Sequence, residues 1–116
     1  MSQPVFAFGL SFEWGDLRLC TSGNPNRVKN PPFVLEGVPA GTSKIQFKLV
    51  DLDVPSYNHG GGVVPWDGQE TIEPGAFRYK SPCPPNGPHT YQWTAIAIND
   101  TGEALAVAKA RRQYPE

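Results

Sequence analysis

The sequence predicts a mainly β domain of the sandwich type. Three observations carry this reading. Short apolar runs recur along the chain, separated by glycine, proline and other turn residues. Residues 44–52 alternate strictly at first, with Ile45, Phe47 and Leu49 on one face and Lys44, Gln46 and Lys48 on the other. No stretch carries a helix of normal length, and seven or eight short strands with turn signals between them suit a sandwich.

The elements follow in order. Residues 5–8 and 16–20 read as short strands punctuated by Gly9, Gly15 and Gly23. Residues 24–32 read as a loop, because Pro25, Pro31 and Pro32 exclude helix. A short strand follows at 33–35, then a turn at 38–42, where Pro39 presets its φ and Gly41 tolerates positive φ. In the strand at 44–52 the alternation breaks at Val50, which suggests passage under other structure before Asp51. Residues 60–64 and 76–79 are weaker strands. Residues 90–98 carry Tyr91, Trp93, Ala95 and Ala97 on one face and Thr94, Ile96 and Ile98 on the other, the pattern of a central strand buried on both sides. Asn99-Asp100-Thr101-Gly102 is a hairpin turn. Residues 103–109 return as a strand; helix propensity at 104–110 competes, but the hairpin signal favours strand. Residues 111–114 trail to the end.

Composition narrows the function. A chain of 116 residues suits one domain spanning 1–116, large enough for an ordinary core. Twelve glycines and thirteen prolines approach the composition of disordered chains, but tryptophan, phenylalanine and tyrosine interleave with them, which disorder lacks. The net charge of −1 argues against a nucleic-acid surface, yet it leaves room for a local positive pocket. No apolar run approaches the about 20 residues of a membrane helix, and Met1-Ser2-Gln3-Pro4 begins no visible signal peptide. Cys20 and Cys83 allow one disulfide or two separate buried thiols. Their turn-rich surroundings favour the bridge, which implies a periplasmic or secreted protein; without it the cytoplasm fits.

Both histidines fall within or just after two proline-braced segments. Asp51 and Asp53 flank Leu52 at a strand end, so they share a direction only where the backbone leaves the pleat. Their plainer role is that of turn carboxylates. His59 opens His59-Gly60-Gly61-Gly62, where bare backbone can approach a ligand or simply turn on the surface. His89 and Tyr91, two apart, share one strand face and suit an oxyanion; a core tyrosine with a capping histidine is the alternative. No phosphate-loop, nucleophile-elbow or zinc spacing is present. A Cys83 thiol nucleophile competes with the disulfide and is the weaker reading. These observations predict no enzyme, cofactor or metal.

At these segments the chain resembles the phosphatidylethanolamine-binding protein family, in its bacterial Raf-kinase-inhibitor-like branch. The resemblance rests on Cys20-Thr21-Ser22-Gly23-Asn24, Gly37-Val38-Pro39-Ala40-Gly41-Thr42, Asp51-Leu52-Asp53-Val54-Pro55 and Ser81-Pro82-Cys83-Pro84-Pro85 running through His89-Thr90-Tyr91, all in order. It implies a Greek-key fold with a large and a small antiparallel sheet, and a small pocket for phosphate or a phosphorylated head group. Carried over by motif, Asp51, Asp53, His89 and Tyr91 are pocket residues, and the loop at 82–88, including Pro82, is the floor. Val54-Pro55 is the candidate for a cis bond. The family's histidine-tryptophan pair after the aspartate loop is absent, and His59 is placed in the role of its histidine. The implied function is a small-anion or phospholipid head-group module, with a regulatory or kinase-inhibitor-like role beyond it. The alternative is a structural or interaction protein with a vestigial pocket. Trp66 and Tyr57, read as exposed, leave a homodimer open.

Overall fold

The computed structural model describes residues 7–116. Among them the chain forms nine strands and no helix: β1 (Gly9–Phe12), β2 (Arg27–Lys29), β3 (Phe33–Glu36), β4 (Thr42–Asp51), β5 (Gly61–Pro65), β6 (Thr71–Ile72), β7 (Arg78–Lys80), β8 (His89–Asn99) and β9 (Ala104–Tyr114). A four-stranded sheet runs in the order β5-β4-β8-β9. A three-stranded sheet, β1-β3-β6, and a two-stranded ribbon, β2-β7, complete the architecture. Every pairing is antiparallel.

The large sheet forms because its sequence alternates. Along β4, Ile45, Phe47 and Leu49 are buried while Lys44, Gln46 and Lys48 are exposed. The alternation does not break at Val50: Val50 lies on the half-exposed side, and the next inward position is Asp51. Pairing with β8 sets large residues against small ones, Phe47 opposite Ala95 and Ile45 opposite Ala97. The opposite face of β8, with Thr94, Ile96 and Ile98, is half-buried rather than sealed, so this strand is central in the hydrogen-bonding direction and buried on one side only.

The core between the layers is aromatic. Phe33 stacks on Phe47 at 4.4 Å, and its ring meets Trp93 edge-on at 5.1 Å. Tyr79 from β7 meets Trp93 at 5.0 Å. Offset and edge-on pairs of this kind add about 0.5–1.5 kcal/mol beyond area burial. The Trp93 indole N–H is buried without a hydrogen-bond partner among the described residues, a polar cost that the surrounding rings offset only in part.

Several local expectations change. The expected strand at 5–8 lies partly outside the described residues; pairing starts at Gly9, opposite Glu36. Residues 16–20 form no strand, because the segment is held by a side chain: the Cys20 amide donates to the Tyr114 hydroxyl, which itself donates to the Arg18 carbonyl. Residues 24–32 are not all loop, since Arg27–Lys29 pairs with β7. Residues 111–114 do not trail; they extend β9 to the start of β8, with His89 opposite Tyr114. β6 is two residues long, too short for periodicity to show. The disulfide between Cys20 and Cys83 is present and ties two loops separated by 63 residues. Tyr57 is exposed, whereas Trp66 is half-buried with its indole donating to the Gln69 carbonyl.

Gly61 and Gly62 after His59 serve packing rather than ligand approach. A Cβ on Gly61 would run into the Phe47 carbonyl, and one on Gly62 into the Phe77 ring. Bare backbone lets β5 lie close to β4 and slide under that ring. Gly62→Ala is therefore expected to destabilise the domain by about 1–3 kcal/mol in chemical denaturation; an unchanged midpoint would show that Phe77 moves aside freely.

Candidate functional site

Asp51 sits at the last pair of β4 and β8, opposite Tyr91, on the buried face. It is only 4% exposed. A carboxylate so placed must find partners. Its Oδ1 accepts the amides of Asp53 (2.9 Å) and Val54 (3.2 Å), which draws the chain out of the pleat into a turn. Its Oδ2 lies 2.6 Å from Nδ1 of His89, the donor of that contact. The Leu52 amide donates to the Thr90 carbonyl, so the loop leaves the sheet only after this anchor.

The turn corrects the cis-bond expectation. The Tyr57 amide donates to the Val54 carbonyl, which puts Pro55 at the second position of a four-residue turn. A trans proline fits there, whereas a cis proline belongs one position later. Val54-Pro55 is accordingly trans; among the described residues the cis bond is Tyr114-Pro115.

His59 is 3% exposed and donates from Nδ1 to the Lys80 carbonyl at 2.8 Å. Burial lowers its pKa from 6.5, and this outweighs the bond to Lys80 and the nearby Asp51 charge, both of which raise it. The ring is therefore neutral at pH 7, with its proton on Nδ1 and Nε2 left as an acceptor. Its ring packs against Tyr57 at 4.6 Å and Tyr91 at 5.5 Å. Tyr91 carries the other functional hydroxyl. Burial first, and the Asp51 charge second, push its pKa far above the ordinary value, so the phenol keeps its proton.

These groups converge on a cavity of about 190 Å³ lined by Asp51, Val54, Tyr57, His59, His89 and Tyr91. The opposite wall is Gly23, Pro25, Cys83, Pro84 and Pro85. The disulfide builds that wall: the Gly23 amide donates to the Cys83 carbonyl, and the Ser22 amide points at the Cys83 sulfur. Two of the expected pocket residues lie elsewhere. Asp53 is exposed and uses Oδ2 to accept the Thr90 amide, bracing the loop from outside. Pro82 is fully buried beneath the loop, and Pro84 and Pro85 take the lining position. Val54, Tyr57 and Pro25 had no signal of their own in the sequence, although Tyr57 stands two residues before His59 on the same loop.

Asp51, Asp53 and His89 each bring a ligand atom within 4.8 Å of the others. A metal there would have to separate the closed Asp51–His89 pair, and Asp53 already serves the Thr90 amide. The arrangement suits hydrogen bonding better than ligation. Cys83, held in the disulfide, offers no thiolate.

No family model matches the chain, and no curated protein does. Solved structures do. A phosphatidylethanolamine-binding protein homologue from Chlamydia trachomatis, CT736, is similar at 17% identity with a TM-score of 0.66, covering 95% of this chain and 98% of its own. Escherichia coli YbcL, described as a member of the mammalian phosphatidylethanolamine-binding protein family, is similar at 17% identity with a TM-score of 0.68, covering 94% and 98%.

Two predictions test the site's construction. Asp51→Ala removes the buried acceptor of three hydrogen bonds and should destabilise by about 2–4 kcal/mol, with Asp51→Asn closer to wild type in the same denaturant titration. Equal losses in both would show that the amides of Asp53 and Val54 do not depend on an acceptor at this position. For His59 the folded pKa is depressed, so the unfolded chain binds the extra proton and stability falls as pH drops below 6.5. The ring's NMR titration midpoint is expected below 6.5; a midpoint above it would contradict the buried neutral imidazole.

Proposed function

We propose that this chain, which has the fold of the phosphatidylethanolamine-binding proteins, is a non-enzymatic binding module whose cavity takes phosphate or a phosphorylated head group. One observation carries the reading. Both imidazoles are held through Nδ1, His59 by a backbone carbonyl and His89 by Asp51, which leaves Nε2 free on two rings that line one small cavity with the Tyr91 phenol. Polar groups fixed in this way cost little ordering on binding.

The charge arithmetic is consistent with an anion. Asp51 is a negative charge at the cavity edge, but two amides and the His89 N–H already face its oxygens. A bound oxyanion would meet the two imidazole edges and the Tyr91 hydroxyl rather than a bare carboxylate. A cavity of about 190 Å³ suits a head group and falls short of the about 300–1,000 Å³ of drug-sized sites. The apolar rim of Val54, Pro25, Pro84 and Pro85 suits the carbon portion of a phosphorylated amino alcohol. Kinase inhibition is not part of the proposal, because a pocket does not specify a protein partner.

Calorimetry with inorganic phosphate and with phosphorylethanolamine tests this. His89→Ala is expected to weaken binding by at least about tenfold, the value of one charge-assisted hydrogen bond, and affinity should rise as pH falls through the histidine range. Unchanged affinity in the variant removes His89 from the site. No binding by wild type, with no anion in the cavity of crystals grown in phosphate, favours a structural module with a vestigial pocket.

A further inference from the structure

The β2–β7 ribbon breaks a rule of sheet design. In its register Arg27 stands opposite Lys80 and Lys29 opposite Arg78. Residues directly opposite, and residues two apart on a strand, share a face. The inner face carries Val28 against the core and the buried Tyr79, so Arg27, Lys29, Arg78 and Lys80 all stand on the exposed face. Like charges opposite one another are destabilising. No carboxylate pairs with any of the four among the described residues, whose ion pairs are His89–Asp51 and Arg112–Glu116. In a chain of net charge −1, four cations on one small ribbon are a local concentration and not a general basic character.

The same ribbon has an open edge. The Asn30 amide donates to the Phe77 carbonyl, and the Ser81 amide to the Asn26 carbonyl. Hydrogen-bonded pairs alternate in an antiparallel ladder, so the intervening pairs, Arg27–Lys80 and Lys29–Arg78, turn their backbone groups outward. On the β7 side the Lys80 amide reaches the His59 carbonyl. On the β2 side, the amides and carbonyls of Arg27 and Lys29 have no partner among the described residues. They border a groove of about 490 Å³ whose lining adds Arg18 and a single carboxylate, Asp16, with Trp14, Pro31 and Pro74 along its walls.

We propose that this groove docks an extended acidic peptide segment of a partner protein, which adds to β2 as a strand and sets its carboxylates or phosphates against the ribbon's cations. Strand addition satisfies the open edge, and alternate side chains of the added strand fall on the basic face. The charges also exclude the commonest wrong partner, since a second copy would bring the same cations to the same edge. A concave groove with a free backbone edge fits a chain better than the plane of a bilayer. Trp14 and Tyr79 are buried, so no exposed aromatic there offers the stacking that a single-stranded nucleic acid uses. The inference stands apart from the cavity's ligand.

The probe is a fluorescein-labelled decapeptide of alternating Glu and Thr, with its Lys–Thr counterpart as control, read by anisotropy on the full chain. The Glu–Thr peptide is expected to bind and to weaken at least about tenfold between about 20 mM and 300 mM salt, as screening requires. Lys29→Glu with Arg78→Glu should cost at least about tenfold in peptide affinity while phosphate affinity at the cavity stays unchanged. Of two peptides N-methylated at alternate amides, one should lose binding and the other keep it, because every second amide faces β2. Absence of peptide binding, or equal binding by the double variant, overturns the proposal. So does binding confined to vesicles of phosphatidylcholine with phosphatidylglycerol, or to a thymidine decamer. Full affinity in both methylated peptides overturns the strand pairing.

Discussion

A carboxylate buried at the end of a strand organises this molecule's functional corner. Strand periodicity carries Asp51 to the inner face two residues beyond Leu49, where an apolar side chain would otherwise sit. Nearly sealed from water, it must be satisfied from nearby. One oxygen gathers the amides of Asp53 and Val54 and so turns the chain out of the sheet; the other holds His89. The loop's exit direction, the imidazole's orientation and the cavity's near wall follow from one electrostatic demand.

The far wall has a different origin. Residues 22–25 and 83–85 carry little that would hold them together by packing, and the Cys20–Cys83 bridge does so covalently. Closing a loop of this length is worth about 4 kcal/mol in the chain-entropy account. The site thus rests on one ionic network attached to the sheet and one covalent tie between loops. Its histidines sit in unlike surroundings: His59 is sunk and neutral against the Lys80 carbonyl, while His89 faces a carboxylate.

The β2–β7 ribbon divides its labour by face. Val28 and Tyr79 pack inward, and Tyr79 closes on Trp93 in the aromatic core. The outward face gathers cations that repel each other, at a cost the core has to cover. Lys80 links the two regions, since its carbonyl holds His59 and its ammonium lies over the Tyr57 ring, at 5.7 Å from the centroid.

Period-two alternation at 44–52 and 90–98 determined the central strands and their inward faces, because side-chain direction along a strand is a property of the local chain. Glycine and proline marked the turns, and the resemblance at 20–24, 51–55 and 81–91 points to Asp51, His89 and Tyr91. Tertiary structure decided the rest. The short pieces β2 and β6 are strands only because β7 and β3 lie beside them, and residues 16–20 miss being one because the Tyr114 hydroxyl holds them instead, through the Cys20 amide and the Arg18 carbonyl. Whether a proline floors a pocket or supports it from below, as Pro84 and Pro82 do, is likewise set by where a distant loop comes to rest. Alternation acts between neighbours in sequence and can be read there, whereas convergence on a cavity depends on contacts across 38 residues or more, as between Asp51 and His89, which no local pattern encodes.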